Sequence, residues 1–142
     1  MRSSRKKTNW LIERAKQIKQ GKNIPTSLDE LTTLPGIGRK SANVIKREMG
    51  VKAEGIIVDL HVVRMAPRIG FAAGTHPKKL EKQMMELFDA KYWDEVGMAI
   101  SFLGREICRP GNPKCPMCVM SKVCVYCRNA NKQEITNRFF LN

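Results

Sequence analysis

Acidic residues are scarce in this 142-residue sequence. Asp and Glu number 13 against 26 Lys and Arg, leaving a net charge of +13. That shortage leaves nucleic acid, an anionic membrane surface or plain solvent as the counterpart of the basic surface. Long apolar runs are missing too. None approaches the ~20 residues that cross a bilayer, and no secretory h-region is present, so the chain reads as soluble and intracellular, with no membrane partner. No repeat of solenoid period occurs. Strand candidates are almost absent: Gly55-Ile56-Ile57-Val58 is β-branched, but with no second candidate to pair with it reads as a buried connection rather than a sheet. The hydrophobic content of 42% nevertheless supports a packed core, in one ordinary domain or two very small ones. The expected fold class is all-α.

Helical periodicity supplies what strands do not. Trp10, Leu11, Ala15 and Ile18 recur on one face before Gly21 and Pro25. Ser27 to Glu30 is spaced as a capping box for a short helix. A glycine hairpin follows, Leu34-Pro35-Gly36-Ile37-Gly38, and then a helix from Arg39 and Lys40 with Ala42, Ile45 and Met49 as its apolar stripe, which reads as core rather than as a binding surface. Gly36 and Gly38 both permit positive φ and leave room for a close approach to the backbone. Consecutive N–H groups opening the next helix make a site for a phosphate. Asp59 stands as an N-cap before Leu60-His61-Val62-Val63-Arg64-Met65-Ala66, a helix that Pro67 should kink or end early. His61 reads as a packed or capping histidine. Another helix starts at Thr75-His76-Pro77, with Leu80, Met84, Leu87 and Phe88 on one face. Tyr92, Val96, Ala99, Ile100 and Leu103 repeat the pattern until Gly104 interrupts it. No periodicity organises the stretch from Arg128 onward, which reads as a loosely ordered tail.

Four of the five cysteines form Cys108-x6-Cys115-x2-Cys118-x5-Cys124. In a reducing compartment such crowding points to metal rather than disulfides. Zinc commonly takes paired Cys-x2-Cys knuckles, and only one occurs here. A cubane iron–sulfur cluster is equally served by four cysteines. Spacing alone leaves both open, with iron–sulfur slightly ahead, and leaves Cys127 outside the pattern as a spare thiol.

Helix, glycine hairpin and helix together resemble the helix-hairpin-helix element that grips one DNA backbone without reading bases. The hairpin with Lys40, the Val58-Asp59-Leu60-His61-Val62 segment and the cysteine loop, preceded by Gly104-Arg105, stand in the order and near the separations found in the endonuclease III family of DNA repair enzymes. The resemblance covers roughly residues 8 to 127. It implies a helix-hairpin-helix DNA-glycosylase architecture: the hairpin part of a partial helical barrel over residues 8–58, a helical iron–sulfur domain over 59–127, and the tail over 128–142. It also implies a 4Fe–4S cluster on Cys108, Cys115, Cys118 and Cys124, with zinc as the alternative. The partner implied is double-stranded DNA carrying damaged bases or abasic sites, contacted by Leu34, Gly36, Ile37, Gly38 and Arg39. The two charges of the longest cysteine spacer, Arg109 and Lys114, read equally as a second phosphate contact or as a loop whose charges face water. Lys40 is then the nucleophile of a bifunctional glycosylase and lyase acting on oxidised pyrimidines, and Asp59 its ionised helper. Such a protein is DNA-associated, in the cytoplasm of a prokaryote or the nucleus or mitochondrion of a eukaryote. Family members carry several helices before the segment that Trp10 begins. Without them the chain is expected to have an incomplete base pocket, to keep lyase activity better than base excision, and to self-associate through the Ala42, Ile45 and Met49 stripe, whereas a complete member would be monomeric. A catalytically weak DNA-binding remnant is the alternative function.

Overall fold

The computed structural model describes residues 8–13, 15–16 and 23–130. The chain divides into two compact units, Met1–Glu54 and Gly55–Asn142. Among the described residues the regular structure is helical, apart from a single bridge between Cys108 and Pro113.

In the first unit, residues 8–13 and 15–16 are helical; Ile18 lies outside the described residues. Helix α1 (Leu28–Thr33) starts where the capping spacing placed it. The Ser27 hydroxyl oxygen accepts from the Glu30 amide at 3.3 Å and donates to the Glu30 carboxylate at 2.8 Å. At the other end the Thr32 and Thr33 hydroxyls donate back to the carbonyls of Asp29 and Glu30, and the chain turns into the hairpin. Helix α2 (Arg39–Glu48) leaves it. The core of this unit is small: Leu28, Leu31, Ile37 and Ala42, with Leu34 and Ile45 against them. This corrects the expectation of an exposed stripe. Ala42 is fully buried and Ile45 half-buried in that core, and only Met49 remains exposed. Sequence offered no hint that Lys46 is also buried. Its ammonium donates to the Thr26 carbonyl and pairs with the half-exposed Glu54 carboxylate at 2.7 Å. The Lys46 bond and the Leu28 amide together hold the Glu54 carboxyl below its usual range, which also ties the start of α1 to the end of the unit.

The second unit opens on Ile56, Ile57 and Val58, each buried and none in a strand. Helices α3 (Leu60–Ile69), α4 (Pro77–Leu87) and α5 (Trp93–Glu106) follow, with 3-10 turns at Ala90–Tyr92 and Cys115–Met117. Residues 125–130 are helical; the remainder of the expected tail lies outside the described residues. Three expectations need correction. Pro67 does not end α3, which runs on to Ile69. Gly70 at φ 101° then caps the helix by donating to Ala66 O at 3.0 Å, while Ile69 is held in the core. These two anchors outweigh the one hydrogen bond that Pro67 forgoes. Gly104 does not interrupt α5 but lies inside it, where α3 presses close: a Cβ there would sit 3.0 Å from Met65 Cγ and 3.1 Å from His61 Cβ. Leu87 faces solvent, leaving Leu80 and Met84 as the buried anchors of α4.

Candidate functional site

The hairpin is shaped by one glycine, not two. Gly36 lies at φ 75°, and a Cβ on it would collide with the Trp10 ring, so both conformation and contact demand glycine there. Gly38 is extended at φ −89° and serves as the N-cap of α2, with no side chain to cap the helix. A Cβ at Gly38 would meet nothing within 4 Å among the described residues. Ile37 is buried in the small core and its amide donates to Leu34 O at 3.0 Å, so it holds the turn together rather than facing outward. Leu34 and Arg39 are half-buried, whereas Gly36, Gly38 and Lys40 are exposed. The α2 ladder begins with Ala42 N donating to Gly38 O at 2.9 Å. The Lys40 and Ser41 amides thus precede the first bond of the ladder, at the positive end of the helix. Lys40 is the second residue of α2, at the edge of that amide cluster.

Asp59 belongs to the second unit and is the N-cap that its position implied. Oδ1 accepts from the His61 and Val62 amides, each at 2.9 Å, and Oδ2 accepts from the Ser101 hydroxyl at 2.6 Å. Partial burial pushes the carboxyl up. The hydrogen bonds from Ser101, Val62 and His61, with the nearby His61 charge, outweigh this and hold it below the usual carboxylate range. Asp59 is therefore a fixed, ionised carboxylate at neutral pH. Ser101 is the residue that sequence reasoning missed. It is 42 positions away from Asp59, but it carried a signal. It is a hydroxyl on the buried face of α5 between Gly97 and Ile100 on one side and Gly104 on the other, where a polar group requires a partner. His61, half-buried, contributes its amide to the cap and places Nδ1 3.4 Å from Arg64 Nη2.

The four motif cysteines line one cavity in the second unit, and Cys127 lines it with them. Cys127, outside the four-cysteine spacing, thus shares the space that the motif encloses. Cys108, Cys124 and Cys127 are buried, while Cys115 and Cys118 are half-buried. Two arginines from α3 fasten the loop. Arg64 Nη2 donates to Gly104 O at 2.8 Å and Cys108 O at 3.2 Å. Arg68 donates to Cys108 Sγ at 3.2 Å and to the carbonyls of Arg109 and Pro110, and it lies over the Tyr126 ring at 4.6 Å. Neither arginine was anticipated from sequence. Arg109 and Lys114 themselves are exposed at the surface of the loop.

Among the described residues no three His, Cys, Asp or Glu side chains converge on a point that would hold a single metal ion. The donor set is nonetheless one-sided: the cavity walls hold five thiols and no carboxylate or imidazole. Burial pushes the Cys115 thiol up to about 11, helped by its hydrogen bond with Cys127 and by the charges of Cys127, Cys108 and Cys124. A bound metal centre would reverse that preference for the protonated form at Cys115. Thiolate-only walls fit an iron–sulfur cluster or zinc, and not a hard oxygen-seeking cation.

Residues 21–47 match the family described as the helix-hairpin-helix motif. Endonuclease III of Thermotoga maritima is 34% identical over 136 residues, which are 94% of this chain and 63% of that protein. The chain spans about half the length of other curated relatives it matches. Among solved structures, a non-covalent endonuclease III–DNA complex superposes with a TM-score of 0.69 at 34% identity, over 80% of this chain and 53% of that one. A thermostable thymine-DNA glycosylase gives 0.67 at 25% identity, over 82% and 55%.

Proposed function

We propose that this chain, similar over 94% of its length to an endonuclease III, is a member of the endonuclease III family that binds duplex DNA and acts in base-excision repair as a glycosylase and abasic-site lyase directed at oxidised pyrimidines. The observation that carries the reading is the state of Asp59. A carboxylate held ionised by three hydrogen bonds at a helix N-terminus suits a group that must face a developing positive charge on a sugar. In this reading the target nucleotide is flipped out of the duplex. The Lys40 amine attacks the sugar C1′ as the bond to the base breaks. The resulting Schiff base permits loss of the 3′ phosphate by β-elimination. Asp59 stabilises the charged sugar and assists proton transfer.

The hairpin contributes binding rather than chemistry. The open side of Gly38 and the α2 amides beside it accept a backbone phosphate, with Leu34, Gly36 and Arg39 around them, while Ile37 supports the turn from beneath. Arg109 and Lys114 supply a second phosphate contact. Both are positioning contacts that carry no sequence information. Cys108, Cys115, Cys118 and Cys124 hold a 4Fe–4S cluster, with zinc as the alternative occupant. What the cluster supplies is a fixed shape for the loop that displays Arg109 and Lys114. Arg68 supports that role by donating to Cys108 Sγ and to two carbonyls of the same loop.

The test is borohydride trapping on a duplex with one abasic site. A covalent adduct is expected from the chain and none from Lys40→Gln. Tight binding with no adduct from either would make this a DNA-binding module without catalysis. Excision of thymine glycol from an intact duplex, assayed in parallel, reads the glycosylase step separately from the lyase step.

A further inference from the structure

We infer that Cys127 is an exchangeable ligand of the iron–sulfur cluster, able to take the place of Cys115. The inference rests on the cluster reading above and adds to it a residue outside the four-cysteine spacing.

Position carries the argument. Cys127 follows Cys124 by three residues, in the first turn of the helical stretch 125–130, whose first hydrogen bond runs from Arg128 N to Cys124 O at 3.1 Å. Cys124 thus precedes the turn as its cap, and Cys127, within that turn, lines the same cavity. At 6% exposure it is as deeply placed as Cys108 and Cys124, whereas Cys115 and Cys118 are only half-buried. A second, more open pocket lies outside the first, bounded by Pro116, Ser121, Lys122 and Arg128. Cys115 and Cys127 are the cysteines that line both spaces; Cys108, Cys118 and Cys124 line only the inner one. The two thiols thus form one piece of wall between the cavity and solvent.

The exchange balances without a redox partner. As Cys115 gives up its iron, Cys127 takes it, and the Cys127 thiol proton passes to the released Cys115 thiolate. One iron–sulfur bond breaks and one forms, and no electron is gained or lost. Cys118 does not share the outer pocket with Cys127, so Cys127 is not placed to cover its loss.

Reconstitution with ferrous iron and sulfide under anaerobic conditions tests this. Iron, acid-labile sulfide and visible absorption per chain are measured for the wild type, Cys115→Ala, Cys118→Ala, Cys127→Ala and the Cys115→Ala/Cys127→Ala double variant. Cys115→Ala should keep its iron within about twofold of wild type, while Cys118→Ala and the double variant fall by about tenfold. Cys115→Ala as empty as Cys118→Ala would overturn the inference, provided circular dichroism shows it helical. If Cys115→Ala does not fold, Cys127→Ala decides instead. It should release iron to a chelator several-fold faster than wild type, and equal rates would count against exchange. A wild-type chain that takes up zinc and no sulfide would show that the cluster reading itself is wrong, separately from the role of Cys127.

Discussion

Ser101→Ala isolates how the fold holds Asp59. The hydroxyl donates to Oδ2 at 2.6 Å, a short charge-assisted bond. A hydrogen bond to a charged group contributes about 1.5–3 kcal/mol. Asp59 keeps its two amide donors, is half-buried and so reaches some water, and alanine favours a helix over serine. The net loss at neutral pH should therefore be about 1–2 kcal/mol. Its pH dependence follows from the direction of the Asp59 shift. The folded-state carboxyl lies below the ordinary aspartate value of 3.8. Its contribution is therefore complete above that value and is lost as pH falls through the lower, folded-state one. Ser101→Ala moves the folded value up toward the unfolded one and removes part of that contribution. Urea unfolding of wild type and variant should differ most at pH 7 and converge in acid, once the carboxyl is protonated in both states. An equal deficit at both ends of the range would mean that the hydroxyl acts through packing alone and would refute the argument. Ser101 is a positioning residue in this account. Its loss should also shift the acidic limb of the abasic-site trapping profile to higher pH, because Asp59 would then lose its charge sooner on acidification.

Gly97→Ala gains about 1 kcal/mol of helix propensity. It would nevertheless place a Cβ against the Ile57 carbonyl oxygen and 3.0 Å from Ile57 N, both backbone atoms. Overpacking should win, with net destabilisation of about 1–3 kcal/mol in urea, more than for Gly104→Ala, where Met65 Cγ is a movable side-chain neighbour. A Cβ on Gly38 meets nothing within 4 Å among the described residues, so Gly38→Val should cost no more than the loss of a favoured N-cap residue, about 1 kcal/mol, while affinity for duplex DNA drops equally for all sequences; a loss confined to one sequence would contradict a backbone-phosphate site. Affinity measured against salt should fall with a log–log slope of about −0.9 per phosphate contact, and a flat response would argue against DNA despite the charge of +13.

What could be read in the sequence was whatever acts on its near neighbours. The Ser27–Glu30 cap and the Asp59 cap each use donors within three residues, so residue type and spacing sufficed. The buried connection at Ile56–Val58 followed from the lack of any strand to pair with. Failures came where a local rule met a distant contact. Pro67 costs α3 one hydrogen bond, but the buried Ile69 and the Gly70 cap draw the helix onward. Gly104 was read as a break because glycine is a poor helix former, whereas its missing side chain is what lets α3 approach α5. The apolar residues of α2 were expected to lie bare, but α1 and the hairpin cover Ala42 and Ile45 within the same unit.

Cys127 shows that the metal spacing and the helical period are separate readings of the same residues. The four-cysteine pattern fixes which thiols a loop of given length can gather, and by that measure Cys127 is surplus. Helical period asks instead which side chains a turn brings together, and by that measure Cys127, in the turn that Cys124 caps, belongs with it. The helical stretch over residues 125–130 makes the second reading apply. A short basic segment with apolar Val125 and Tyr126 between two cysteines gave no period long enough to be recognised as a helix. Its first turn packs against the cavity through Cys124, Tyr126 and Cys127. The fifth thiol was therefore missed because the spacing of the other four was read without the helical turn that follows Cys124.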